Sequence, residues 1–325
     1  MRSATYNEFG KPTEVLSLGD SPIPEPKPTE VRVKTVLASI HNHDLLTIRG
    51  QYGFKPEMPA IAGSEAVGVV DAVGSEVKNL KVGQRVAAAS VQATWAEYFV
   101  ADEDMVFAIP ESLDDEMAAQ LIAMPLSALM LLEFLEAKSG QWIIHNAANG
   151  AVGKSLAMLA AARGVHTINV VRSSDAIKEL EAIGAENNIS TDNEDWKEQV
   201  KAILGEDKIS AAVDSVGGDA SGDLLSLLGH GGTLASFGIM SGQPMTLNPT
   251  HLIFKQAIVK GFWGSKISQE MSVDNKQRLI DELIERATSG KLHLPVEAVF
   301  DLADITKAVD GKLQSGKNGK VLLKP

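Results

Sequence analysis

Cysteine is absent from the 325-residue chain. That excludes disulfides, a thiolate nucleophile, iron–sulfur ligation and every zinc site built on Cys. Aromatic residues are sparse, and with only three Tyr any chemistry that needs a phenol has three candidates. Basic residues are outnumbered, 30 Lys and Arg against 42 Asp and Glu, for a net charge of −12. This balance argues against a dedicated nucleic-acid binder. No stretch reaches the ~18 consecutive apolar residues of a membrane helix. Met1–Tyr6 shows neither the apolar core of a signal peptide nor the Arg- and Ser-rich pattern of a transit peptide. The expectation is a cytoplasmic protein with no membrane and no nucleic-acid partner.

What is present divides into three zones. Up to about residue 120, short alternating runs such as Val31–Val36 and Val67–Gly74 are punctuated by Pro and Gly. They predict a β-rich unit, barrel or sandwich. From about 120 to 265, strand and helix patterns alternate. Strands are predicted at Trp142–Asn146, His166–Val171, Ala211–Val216 and Thr233–Phe237, and helices at Lys154–Arg163, Asp175–Ile183 and Leu224–Leu228. That alternation predicts βαβ units and a parallel sheet. The last zone holds an amphipathic helix, Asn275–Thr288, with Glu282 and Arg286 four apart on its expected wet face. A helix at Leu302–Val309 and a strand at Lys320–Leu323 follow. This zone is too short to fold alone and must pack onto another.

The segment Trp142–Gly153 reads as strand, glycine-rich turn and helix start. Against the G-x-G-x-x-G fingerprint, positions 148, 150 and 153 carry Ala, Gly and Gly. Gly150 lets the backbone approach a pyrophosphate, Gly153 lets the helix pack against the strand, and the helix N-terminus offers free N–H groups. Asn149, Gly150, Ala151, Val152 and Gly153 are therefore candidate dinucleotide contacts. A plain tight turn is the bland alternative. The following strand ends at Arg172-Ser173-Ser174 instead of an acidic residue. A guanidinium pairs well with a phosphate, so NADPH is the expected cofactor.

Trp142–Gly153, continued through Thr167–Arg172, resembles the medium-chain dehydrogenase/reductase superfamily. Pro59–Gly74, with Gly63-Ser64-Glu65, is similar to the superfamily generally. Gly50-Gln51-Tyr52-Gly53, Leu252–Lys255 and Lys260-Gly261-Phe262-Trp263 resemble its zinc-free branch, the mitochondrial-type 2-enoyl thioester reductases first and the quinone oxidoreductases next. The resemblance implies an α/β fold: a Rossmann doubly wound parallel sheet over 123–265, plus a GroES-like β-barrel catalytic domain split between 1–122 and 266–325. It implies an active site between the two domains and a homodimer joined through the Rossmann sheets.

The same resemblance implies the site residues. Tyr52 is the expected proton donor or substrate orienter, and Trp263 is the second catalytic candidate. Ser215, Phe237, Gly238, Ile239, Met240, Phe262, Trp263, Gly264 and Lys320 join the cofactor list. Where zinc alcohol dehydrogenases carry two Cys and a His, this chain has His41, Ser64 and the Met124-Pro125 junction, so no metal is expected. His41, His43, Asp44 and Glu65 are read as hydrogen-bonding residues, with an improvised metal site as the alternative. Met124 also replaces the Asn that the family places before the junction Pro.

Without a Lewis acid, reducing a C=C conjugated to a carbonyl is easier than oxidising an alcohol, because the developing oxyanion needs only oriented donors. Three readings follow: an NADPH-dependent 2-enoyl thioester reductase, an NADPH-dependent quinone or enone reductase, and a non-catalytic NADPH-binding protein. The first is preferred, with a small molecule as substrate.

Overall fold

In a computed structural model the structure describes residues 1–313 and 319–325. The chain separates into two compact units. The first comprises Met1–Ala123, Ile280–Thr288 and His293–Pro325, and the second Met124–Leu279 and Ser289–Leu292. The expected boundary at 265 lies inside the second unit, which continues to Leu279.

The first unit is built on Glu30–Ser39, whose alternation of buried and half-exposed residues follows the period of a pleated strand. One side of it pairs antiparallel with Glu65–Val73. Its other side is shared. Glu30–Lys34 pair with Tyr98–Asp102, and Ala38 and Ser39 pair with Leu323 and Leu322 of the final strand. The order Val296–Asp301, Lys320–Lys324, Glu30–Ser39, Glu65–Val73, Arg85–Ala89, Val106–Ala108 makes the larger sheet. A small sheet joins Ser17–Asp20, Arg2–Tyr6 and Ala60–Ile61. The final strand thus docks beside an early one, which is how the short last zone completes a core it could not build alone. Tyr6, Ile40, Leu45, Ile48, Trp95 and Phe99 are buried there with Ile305, Val309, Val321 and Leu323.

The second unit holds a six-stranded sheet, parallel throughout. Its order is Asn188–Ser190, His166–Val171, Trp142–His145, Ile209–Asp214, Leu228–Ser236, Ile258–Gly261. Counted in chain order this is 3-2-1-4-5-6, the doubly wound order whose ligand crevice lies at the carboxyl ends of the strands where the order reverses. That reversal falls between Trp142–His145 and Ile209–Asp214. Ile144, Ile168, Val170, Ala212, Leu225 and Leu234 fill the core. The helix Ala123–Phe134 is buried over most of its surface, in keeping with a sequence that is apolar except at Ser127 and Glu133.

Several elements differ from their predicted extents. The helix expected over Asp175–Ile183 is a 3₁₀ turn, Ser174–Ala176, followed by a short helix, Ile177–Glu181. The helix around Asn275 begins at Val273. Glu282 and Arg286 do not lie on a wet face: they are 15% and 18% exposed and 3.8 Å apart.

Candidate functional site

In the second unit, the carboxyl ends of the strands are tied into one edge. Ala148 N–H donates to Val170 C=O at 3.1 Å, which sets the turn after the first strand against the second. Ala147 holds a left-handed φ of +50° there, a conformation that a Cβ disfavours. Gly150 then caps the helix Ala151–Ala162. At Gly153 a Cβ would lie 2.5 Å from Ala148 O and 2.7 Å from its Cα, so only glycine allows the helix this close to the turn.

Two buried side chains the sequence reading passed over, Asn146 and Asp214, lock the neighbouring loop. Asn146 Nδ2 donates to Asp214 Oδ1 at 2.7 Å, and Asn146 Oδ1 accepts from Ser215 N–H at 2.7 Å. Asp214 also accepts from Val216 N–H, Gly217 N–H and the Ser221 hydroxyl. Backbone bonds from Phe237, Gly238, Met240 and Ser241 to the 214–216 segment bring the next loop alongside. The structure therefore gathers Asn149–Gly153, Ser215 and Phe237–Met240, with Ile239 and Met240 exposed. The signal that could have found the lock is a polar residue at the end of each of two adjacent apolar strands.

Arg172 is exposed at the end of its strand and has no ion pair among the described residues. Ser173 caps the following turn. Ser174 is held by Asp192, which accepts from its hydroxyl at 2.9 Å and from its N–H at 3.0 Å.

Two of the cofactor candidates are buried. Phe262 was expected to line the nicotinamide. It is 5% exposed and packed edge-on against Phe134 at 5.3 Å and Phe237 at 5.7 Å, so its burial serves the core. Trp263 beside it is 60% exposed, and Gly264 begins the next helix. Lys320 was expected to reach the cofactor. It is buried in the first unit, where its charge acts on Glu65.

That first unit carries Tyr52 and a polar cluster at the start of the helix Asn42–Ile48. Asp44 Oδ2 accepts from the His41 N–H at 2.8 Å and closes the first turn. His41 Nε2 and Glu65 Oε2 are 2.6 Å apart, both fully buried. Glu65 Oε1 accepts from Ile122 N–H at 2.7 Å and Ala123 N–H at 2.9 Å. Burial pushes the Glu65 carboxyl up to about 7, against the opposing pull of those two N–H donors and of Lys320 and His43. The Ser64 hydroxyl donates to Asp44 Oδ1 at 2.6 Å and meets His43 Nε2 at 2.7 Å. The His43 ring stacks on His41 at 5.0 Å and packs beside Tyr52 at 5.7 Å.

This donor set does not fit a zinc ion. Catalytic zinc takes three protein ligands with free lone pairs around an open position. Here His41 is engaged with Glu65, His43 with Ser64, and Ser64 with Asp44. Among the described residues no group of three His, Cys, Asp or Glu is arranged to hold a metal.

A doubly wound parallel sheet in one unit and a mostly antiparallel sheet completed by the last strand in the other define a two-unit α/β fold. Residues 27–111 match the family described as the alcohol dehydrogenase GroES-like domain, and residues 151–283 match that described as zinc-binding dehydrogenase. The chain is 33% identical to the human protein named mitochondrial enoyl-[acyl-carrier-protein] reductase, over 99% of this chain and 88% of that one. It is 35% identical to the Arabidopsis thaliana protein of the same name, over 92% and 81%. Among solved structures it is similar to a putative NADPH:quinone reductase from Bacillus thuringiensis. There the TM-score is 0.91 and the identity 30%, over 100% of this chain and 98% of that one. It is also similar to an Escherichia coli quinone oxidoreductase complexed with NADPH, with TM-score 0.89 and 26% identity over the whole of both chains. The chain belongs to the medium-chain dehydrogenase/reductase superfamily and is enoyl-reductase-like.

Proposed function

We propose that the protein is an NADPH-dependent reductase of the conjugated C=C of a 2-enoyl thioester, working without zinc. The observation that carries the reading is the full-length identity to relatives named enoyl reductases, joined to a Tyr52 that stands beside a histidine cluster unsuited to metal. NADPH, when bound, supplies a hydride to the β-carbon. The helix N-terminus at Ala151–Gly153 would hold its pyrophosphate, and Arg172 with Ser173 would take the 2′-phosphate. Trp263, Ile239 and Met240 offer exposed apolar surface to the nicotinamide side. Charge then develops on the thioester oxygen, and Tyr52 O–H gives its proton to the α-carbon.

The test is NADPH consumption across crotonyl-CoA, longer enoyl-CoAs and naphthoquinones, with wild type and Tyr52→Phe. Turnover of the enoyl-CoAs, lost by about two orders of magnitude in Tyr52→Phe, supports the reading. Near-normal turnover in that variant removes Tyr52 from the chemistry. The quinone reductase reading rests on the Bacillus thuringiensis likeness, and turnover of naphthoquinones alone favours it. Tight NADPH binding with no oxidation on any acceptor favours a non-catalytic role.

We further infer a homodimer through the edge strand Ile258–Gly261. Among the described residues it pairs on one side only, and it is exposed along its length. With Ile253 and Phe254, which are 67% and 78% exposed, it forms an apolar edge of the kind that a second copy covers. Light scattering of wild type and Val259→Lys tests this, and a monomeric wild type refutes it.

A further inference from the structure

We propose that His43 returns to Tyr52 the proton that Tyr52 gives up in each turnover, with Ser64 and Asp44 positioning the imidazole for that transfer. The inference rests on Tyr52 being the proton donor, as proposed above.

The direction of the hydrogen bonds fixes the tautomer. The Ser64 hydroxyl has one proton and donates it to Asp44 Oδ1. Its contact with His43 Nε2 at 2.7 Å is therefore one in which it accepts, so Nε2 carries a hydrogen. In the neutral ring Nδ1 is then bare and is the basic site. Nδ1 makes no hydrogen bond among the described residues: the polar contacts of His43 run through Nε2 and the backbone carbonyl. The side chain is 26% exposed, which leaves it open to exchange protons with water.

Around the ring, each titratable neighbour has a separate part. Asp44 is 4% exposed, and its Oδ1, which accepts from the Ser64 hydroxyl, lies 3.5 Å from Nε2. His41 stacks on the ring but is committed to Glu65, on whose carboxyl Lys320 also acts. Tyr52 is the remaining partner, its ring tilted by 30° to that of His43. A base oriented through a second group by a buried carboxylate is the logic by which histidines are held for proton transfer.

After hydride arrival the enolate electron pair forms the new Cα–H bond as the Tyr52 O–H bond breaks, leaving a phenolate. The Nδ1–H bond of the His43 imidazolium then breaks as the Tyr52 O–H bond reforms, directly or through one water. Neutral His43 takes its next proton from solvent. The sum consumes one hydride and one proton.

His43→Gln tests this, because the Gln amide still donates to Ser64 but holds no transferable proton. With crotonyl-CoA, kcat is expected to fall about 10- to 100-fold with KM little changed, and added imidazole is expected to restore it in proportion to its concentration. In a Tyr52→Phe background the same change is expected to have no further effect. An unchanged kcat in His43→Gln, or an equal fractional loss with and without the Tyr52 hydroxyl, overturns the relay and leaves Tyr52 as donor. Full turnover in Tyr52→Phe alone refutes the donor assignment and the relay with it. A second readout needs no turnover: the ¹⁵N spectrum of His43 in the free enzyme, recorded at a pH where the ring is neutral, is expected to show the Nε2–H tautomer, shifting in Ser64→Ala. The Nδ1–H tautomer overturns the proposal, and this measurement decides it even if the Gln variant does not fold.

Discussion

His41 Nε2 lies 2.6 Å from Glu65 Oε2, and neither side chain reaches solvent. The other carboxylate oxygen accepts two backbone N–H groups at Ile122 and Ala123, so one buried side chain holds the helix Asn42–Ile48, the strand Glu65–Val73 and the 122–123 turn in register. Glu65→Ala would leave those donors without an acceptor, at a cost of about 3–5 kcal/mol. The pH dependence has a defined sign. Burial raises the Glu65 carboxyl from 4.5 to about 7, so between those values the folded chain holds more protons than the unfolded one. The stabilisation from this group is present below pH about 4.5 and declines as pH rises through about 7. Thermal unfolding of wild type and Glu65→Gln from pH 4.5 to 8 checks this. The difference in Tm should move against wild type as pH rises, and a difference independent of pH contradicts it.

His145 titrates the other way. It is buried in the first strand of the parallel sheet, and desolvation lowers its imidazole to about 4 despite the hydrogen bond to Asn169. Asn169 Nδ2 donates to Glu186 C=O and Asn188 Oδ1, so its Oδ1 accepts from His145 Nε2–H at 2.6 Å. The ring is therefore neutral in the fold. Its contribution is complete above pH about 6.5, the ordinary imidazole value, and is lost as pH falls towards about 4. Wild type should lose stability over that window relative to His145→Gln, whose amide keeps the donor without the charge. Parallel Tm curves for the two proteins would mean that His145 takes up its proton alike in the folded and unfolded chain, and would refute the lowered value.

These two buried histidines also mark where the sequence stopped being readable. The Rossmann sheet was legible because strands covered on both faces, such as Trp142–His145, are apolar runs separated by helices. The docking of the final strand was not legible from pattern. Leu322 and Leu323 would suit any core, and what selects Ala38 and Ser39 as their neighbours is a register set between residues more than 280 positions apart in the chain. The individual residues of the His–Asn–His–Asp segment were visible as candidates. Their alliance with Ser64 was not, because it is made between residues about twenty apart that only the pairing of strands brings together. The burial of Lys320 and Phe262 was not legible for a related reason. A lysine at a strand start and an aromatic at a strand end carry no periodic signal that separates a ligand contact from a buried structural role.

Gly153 offers a direct test of the turn. An added methyl would meet Ala148 O at 2.5 Å and Ala148 Cα at 2.7 Å, and both are backbone atoms that cannot rotate away. The helix must shift, and with it the N–H groups of Ala151 and Val152. Gly153→Ala should destabilise the protein by about 1–3 kcal/mol. It should also weaken NADPH binding about tenfold or more, measured by nucleotide fluorescence. A variant with wild-type affinity would mean that the helix start does not hold the pyrophosphate.

The choice between NADPH and NADH turns on the strand end at Arg172. An exposed guanidinium with no ion pair among the described residues is free to take a dianionic phosphate, and a hydrogen bond to a charged group contributes about 1.5–3 kcal/mol. Arg172→Ala should therefore lower kcat/KM for NADPH about 10- to 100-fold and leave NADH nearly unchanged. Asp192 supplies a second arm. Its carboxylate orders the turn by accepting from Ser174, yet it also sets a negative charge beside the place where the phosphate would sit. Asp192→Asn keeps an acceptor oxygen and removes the charge. It should tighten NADPH binding severalfold at low salt, with the gain fading as ionic strength shortens the Debye length to about 10 Å or less. If both variants leave the NADPH to NADH ratio at its wild-type value, the 2′-phosphate does not sit at this strand end.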